Sequence, residues 1–200
     1  MSKIVHLLLA AGESKRMKQP KQLLVWGNKT LIEHQINILL NTHLDVMVVL
    51  GAYADKIFPV IKDFPIKIVT NRQWANGMGT SIVYGIEMLR SNFPNTDGVL
   101  ISLIDQPLVT KHHFEKMINR FEPKKRQIIV SRSAEGWTGV PVIFDTHYFD
   151  ILQKLRGEEG AKKIIQQEIS NVVYIDTGNL LADIDTPETY QELHQKFLSN

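Results

Sequence analysis

The chain has 200 residues, room for one core-bearing domain, and 44% of them are hydrophobic, an ordinary share for a folded protein. With 23 basic and 21 acidic residues the formal net charge is only +2, which excludes the strong field expected of a nucleic-acid or anionic-membrane binder. The lack of cysteine excludes a disulfide scaffold, a thiolate nucleophile and a cysteine-ligated zinc or iron–sulfur site.

Residues 4–9 form a short, nearly continuous apolar run with β-branched members, which suits a strand buried on both faces of a parallel sheet. No small-residue cleavage site follows it, and no apolar stretch approaches the roughly 18 residues that cross a bilayer, so a cytoplasmic protein is expected. The strand runs straight into Leu9-Ala10-Ala11-Gly12-Glu13-Ser14-Lys15-Arg16-Met17, then Gln19-Pro20-Lys21-Gln22-Leu23-Leu24. Small residues at Ala10, Ala11 and Gly12 permit close approach of a ligand, and loop amides at such a place can face phosphate oxygens. Arg16 and Lys21 add two cations. The segment is neither a P-loop nor a dinucleotide fingerprint, since no glycine-lysine-serine/threonine follows Gly12 and no GxGxxG is present. On composition alone it reads as a solvated loop.

Ile32, Ile36, Leu39 and Leu40 mark one helix face. Strands are expected at residues 45–50 and 66–69. Gly77-Met78-Gly79-Thr80-Ser81 reads either as a turn with Thr80 or Ser81 capping the next helix, or as a place where Gly77 and Gly79 let a nucleotide approach and Ser81 bonds it. Asn71 and Trp74 stand just before, Trp74 as packing. Ile82, Ile86 and Leu89 give the helix its buried side. Residues 98–104 form another buried strand ending on Asp105-Gln106-Pro107, where a carboxylate reads as an Asx turn or as a hard oxygen ligand for Mg²⁺.

Thr110 is a plausible cap for a helix carrying Phe114, Met117, Ile118 and Phe121, and His112-His113 at its start should be solvated. Beyond Lys124 the pattern turns mixed. Strands are expected at residues 127–131 and 141–144 around a glycine-rich turn, a helix–helix turn at residues 157–162, and a strand at residues 172–175. Asp183-Ile184-Asp185 offers two late carboxylates, of which only one is expected to share a metal with Asp105. Thr186-Pro187 opens the last helix, whose buried side is Tyr190, Leu193 and Phe197. Alternating strands and helices predict a single α/β domain over residues 1–200 with a mainly parallel central sheet flanked by helices.

The segment LAAGESKRM followed by PKQLL resembles the signature of nucleotidyltransferases with a Rossmann-like, glycosyltransferase-A type fold. It is most similar to molybdenum cofactor cytidylyltransferases and their MobA-like relatives. NRQWANGMGTSI, LIDQP, GVPVIF, GEEGAK and DIDTPETY follow in the family's order, so the resemblance spans nearly the whole chain. It departs at Lys18, where the family commonly has glycine, and at Val140, where some members have histidine.

The resemblance implies a Mg²⁺-dependent enzyme that transfers the nucleotidyl part of an NTP, here CTP, to molybdopterin, with a molybdoenzyme or accessory protein as partner. The alternatives are another cytidylyl- or sugar-1-phosphate nucleotidyltransferase, which shares the signature, and a nucleotide-binding module without turnover. It implies catalytic roles for Arg16, Lys21 and Asp105. It places Leu9, Ala10, Ala11, Gly12, Lys21, Gly77, Gly79 and Ser81 at the nucleotide, and Asp105 and Asp185 at the metal, with Asp183 the lesser candidate. It also sets residues 136–141 and the 157–162 turn beside the acceptor. LAAG points to CTP, because the related guanylyltransferases usually carry LAGG.

Overall fold

The computed structural model describes residues 2–199. Strand β1 (Ile4–Ala10) is buried along its whole length, as a continuous apolar run requires when helices cover both faces of a sheet. The chain then makes two short 3-10 turns, Lys15–Met17 and Lys21–Leu23, and a small hairpin of β2 (Val25–Trp26) and β3 (Lys29–Thr30). Thr30 starts α1 (Leu31–Leu40) with a reciprocal cap: its hydroxyl accepts from the Glu33 amide and the Glu33 carboxylate accepts from the Thr30 amide. Next come β4 (Asp45–Leu50), α2 (Ala54–Ile61), β5 (Lys67–Thr70), α3 (Met78–Asn92) and β6 (Gly98–Leu103). The second half holds α4 (Lys111–Arg120), β7 (Ile128–Ser133), β8 (Thr138–Asp145), α5 (Phe149–Leu152), α6 (Lys162–Gln167), β9 (Val172–Gly178) and α7 (Pro187–Leu198).

Seven strands form one sheet in the order β5-β4-β1-β6-β8-β7-β9. Strands β5, β4, β1 and β6 are mutually parallel and β7 is parallel to β9, while β8 runs against both of its neighbours. The sheet is therefore mainly parallel, with helices on both faces. The pleat sends alternate β1 side chains to opposite layers. Ile4, Leu8 and Ala10 join the α1 and α4 layer, and Val5, Leu7 and Leu9 join Ile82, Ile86 and Leu89 of α3.

The expected strands are present, with ends moved by one to a few residues. Helix α2 and the β2–β3 hairpin were not expected. Pro59 lies inside α2 and argues against a helix there, yet it is exposed, so the carbonyl deprived of its partner can be hydrated. Two expectations about side chains need correction. Thr80 and Ser81 are not caps: Gly77 holds the cap position of α3 at φ +104°, and both residues lie within its first turn. His113 is not solvated. It shares the inner face of α4 with Phe114 and Met117, is 3% exposed, and bonds Ser131 Oγ at 2.8 Å, whereas His112 stays exposed.

Candidate active site

The chain runs outward from β1 to β4 and β5, then crosses to β6 on the other side of β1. The loops leaving β1 and β6 consequently part from each other at the carboxyl ends of the strands, which opens a crevice there. A cleft of about 500 Å³ lies at this point. The first loop supplies Leu9, Ala11, Gly12 and residues 13–16, the turn after it supplies Lys21 and Gln22, and β6 leads to Asp105. Trp74, Gly77, Met78 and Ser81 form the wall at the start of α3, and Glu158 and Asp185 close the rim.

At the centre, Lys21 Nζ lies 2.9 Å from Asp105 Oδ2 and 3.4 Å from Asp185 Oδ1. Arg16 reaches Asp185 Oδ2 at 2.9 Å from a largely exposed position. Three segments far apart in sequence meet here because the backbone is tied at the junction: the Ile184 amide donates to the Asp105 carbonyl at 2.8 Å. The Asp185 amide donates to Thr189 Oγ1 within the start of α7, which fixes the direction of its carboxylate. Asp183 does not line the cleft. Its surface is exposed, yet enough protein surrounds the carboxyl to push its pKa up to about 6, chiefly by desolvation and next through the charges of Asp105 and Asp185, against a hydrogen bond from Gln106.

Asp105 Oδ1 is buried and has no hydrogen-bond partner among the described residues, although Oδ2 takes Lys21. A buried carboxylate oxygen left without a donor suits a cation. No three acidic or histidine groups among the described residues converge closely enough to hold a metal alone. Asp105 and Asp185 both reach Lys21 Nζ, and two carboxylates are a donor set that would suit a hard divalent ion able to keep waters and take further oxygens from phosphate.

Two residues expected at the nucleotide lie elsewhere. Ala10 is 1% exposed and faces the α1 core rather than the cleft, as the pleat dictates for a residue one position from Ala11. Gly79 faces the 157–160 turn: its amide donates to the Gly157 carbonyl at 2.9 Å, and a β-carbon on it would lie 2.8 Å from the Glu159 carbonyl. Gly77 borders the cleft, but its missing side chain also makes room for this turn, since a β-carbon would lie 2.4 Å from Gly157. The turn in this way presents Glu158 to the cleft, while Lys162 does not line it. Ser81 is buried and receives a hydrogen bond from Asn71 Nδ2 at 3.1 Å. Trp74 both packs near Ala11 and lines the cleft. Trp137 and Gly139 do not line it, although the register continues β8 past its last β6 pair, Ile101 with Val142, towards the end of the sheet that bears Asp105.

Two glutamines that no sequence motif singles out shape the site. Gln22 donates through Nε2 to the Ala10 carbonyl at 2.8 Å and the Gly12 carbonyl at 3.1 Å. Gln35, 2% exposed, donates to the Gln106 carbonyl at 2.9 Å and so ties α1 to the loop that carries Asp105. A signal for Gln35 existed, because it sits between Ile32 and Leu39 on the apolar face of the helix.

The MobA-like NTP transferase domain is matched across residues 6–172. The nicotine blue oxidoreductase of Paenarthrobacter nicotinovorans is 27% identical over 95% of this chain and 96% of its own. The purine catabolism protein PucB of Bacillus subtilis (strain 168) is 26% identical over 94% of each. A probable molybdenum cofactor guanylyltransferase of Bacillus cereus (strain B4264) is 29% identical over 60% of this chain and 58% of its own. Among solved structures, Rv0371c of Mycobacterium tuberculosis H37Rv superposes with a TM-score of 0.86 at 24% identity over 97% and 98% of the two chains. The same protein has been solved as a manganese complex, which superposes with a TM-score of 0.81 at 23% identity over 97% and 99%.

Proposed function

Since this chain belongs to the MobA-like NTP transferase family of nucleotidyltransferases, we propose that it is a cytidylyltransferase joining the CMP part of CTP to the phosphate of molybdopterin. The observation that carries the reading is the convergence of Lys21, Arg16, Asp105 and Asp185 on one cleft at the parting of β1 and β6. A phosphate oxygen of the acceptor attacks the α-phosphorus of CTP. A phosphoanhydride bond forms as the bond to the β-phosphate breaks, and pyrophosphate leaves. A phosphate is already ionised near neutrality, so no dedicated base is required, and rate acceleration comes from alignment and charge neutralisation.

Lys21 and Arg16 supply fixed positive charge to the triphosphate. In the structure that charge faces Asp105 and Asp185, which keeps the carboxylates from repelling one another. Asp105 and Asp185 would hold Mg²⁺, which supplies Lewis-acid polarisation of phosphate oxygens. The amides of Gly12, Glu13 and Ser14 donate no hydrogen bond to other described residues and border the cleft, so they are open to phosphate. The acceptor enters beside Asp105, bordered by the start of β8. The setting is cytoplasmic, and no helix among the described residues is long and apolar enough to cross a membrane. The product is handed to a molybdoenzyme or its accessory protein.

Preference for CTP rests on Ala11, which lines the cleft with Trp74 beside it. Its methyl group takes space from the floor and so weighs more against a purine than a pyrimidine. One methyl is worth about 1 to 3 kcal/mol of discrimination. GTP is the second reading, favoured by the relatives named guanylyltransferases. With molybdopterin and Mg²⁺, kcat/KM should be highest for CTP and lower for GTP, UTP and ATP, and Ala11→Gly should raise the use of GTP. Equal use of all four nucleotides, or of GTP before CTP, would sink the assignment of the donor.

A further inference from the structure

Gln22 is 1% exposed, borders the cleft, and stands next to Lys21 in the second 3-10 turn. A primary amide carries two protons, and both are committed: one to the Ala10 carbonyl and one to the Gly12 carbonyl. These are alternate carbonyls of the first loop. The carbonyl between them, that of Ala11, is taken by the Ala52 amide at 3.1 Å. Three successive peptide planes are thus held, two of them by one side chain. In a trans peptide the N–H points opposite to the C=O of the same plane. Turning the Gly12 carbonyl onto Gln22 therefore aims the Glu13 amide away from Gln22, and that amide has no acceptor among the described residues.

The plane between Gly12 and Glu13 would otherwise rotate easily. Gly12 has no side chain, and nothing lies within 4 Å of where its β-carbon would be. A reversed plane would show a carbonyl to a triphosphate in place of a donor, turning an attraction into a repulsion. We propose that Gln22 is a positioning residue for the triphosphate: it locks the peptide planes of residues 10–13 so that loop amides, not carbonyls, meet the phosphates. This rests on the nucleotidyltransferase reading for the identity of the ligand, but the lock itself is defined by anion binding. Gln22 touches no phosphate in this scheme. It acts through the loop.

The test replaces Gln22 by methionine, close in size and without a donor, and measures binding of inorganic tripolyphosphate by calorimetry beside steady-state kinetics with CTP. Gln22→Met should weaken tripolyphosphate binding and raise the KM for CTP by about 10- to 100-fold, the scale of losing charge-assisted donors. The kcat at saturating CTP should fall much less. A merely structural role would instead lower kcat with the folded fraction and leave KM and tripolyphosphate affinity of the folded protein unchanged, which would overturn the proposal. If Gln22→Met fails to fold, Gln22→Glu keeps the shape but offers carboxylate oxygens to the two carbonyls, and the same loss of anion binding is expected. Wild-type affinity in Gln22→Glu would overturn the proposal as well. Should the wild type bind tripolyphosphate in a Gln22-dependent way yet release no pyrophosphate from any NTP, the catalytic reading fails and the lock stands. Full turnover with unaltered anion binding in the variants would overturn the lock and leave the catalytic reading standing.

Discussion

Among the described residues Lys21 is the one cation that touches both Asp105 and Asp185, and its side chain is itself well covered. Under the proposed function its charge would serve oxygens that gain charge as the α-phosphorus is attacked. Lys21→Ala should lower kcat by about 10² to 10³, as expected for removing a preorganised charge, and near-normal turnover would remove it from the catalytic set. Asp185 meets Arg16 and Lys21 whereas Asp183 lies outside the lining, so Asp185→Asn should reduce metal-dependent turnover far more than Asp183→Asn. A larger loss for Asp183→Asn would mean that the other carboxylate is the ligand, and an equal loss would contradict the distinction between the two. Lys18, where the family commonly has glycine, sits at φ +55°, a left-handed position that costs a side chain about 1 kcal/mol. Lys18→Gly should leave the backbone path unchanged and shift chemical denaturation by at most about 1 kcal/mol towards stability. The shift can be smaller because glycine also frees the unfolded chain.

At the scale of elements, the two ends of the chain hold the late carboxylate in place. Trp26 of the hairpin is buried among His34, Tyr190, His194 and Phe197, with ring centroids 5.1 to 6.3 Å apart, and His194 Nε2 accepts from the Gly27 amide. This cluster docks α7 against α1 and the hairpin. Asp185 immediately precedes the Thr186 cap of α7. Trp26→Ala should therefore cost about 3 to 5 kcal/mol in urea unfolding. In the folded fraction it should also weaken the metal dependence of turnover by loosening Asp185. The α7 start was legible because Thr186-Pro187 is a strong local signal. The hairpin was not, since two-residue strands leave no period to read, and its pairing with α7 is a contact between residues about 165 apart.

For the molecule as a whole, most of the sheet could be read from apolar runs, because strands buried on both faces need no partner to announce themselves. The reversed direction of β8 could not, and the meeting of Asp185 with Asp105 was legible only through the resemblance, because it depends on tertiary closure. Buried histidines were also hidden, because a histidine on an inner helix face is indistinguishable in sequence from one beside it that is solvated. Their burial has a consequence for pH. Desolvation holds His6 down at about 3, and holds His113 down at about 4 with smaller help from Lys116 and His112. The His113 tautomer is set as well: Ser131 donates its proton to the Pro141 carbonyl, so His113 Nε2–H donates to Ser131.

Both folded-state pKa values lie below the unfolded value of 6.5. Below pH 6.5 the unfolded chain takes up protons that the folded chain refuses. The stability contributed by the neutral buried rings is present in full above that pH and is lost as pH falls towards 4 and then 3. Between pH 6 and pH 4.5 the unfolding free energy should fall by up to about 1.4 kcal/mol per unit for each histidine. In urea titrations His113→Gln should flatten that slope. An unchanged slope in the variant would mean that His113 does not carry it.

Nucleotidyl transfer in the cleft between β1 and β6 is tested most directly by a single-turnover reaction of the purified chain with CTP, molybdopterin and Mg²⁺, in which both products are followed. The expected result is one pyrophosphate released for each acceptor that gains a CMP joined through a phosphoanhydride, with both products abolished by EDTA and by Asp105→Asn. Pyrophosphate without the joined product, or product formation that persists in Asp105→Asn, would contradict it.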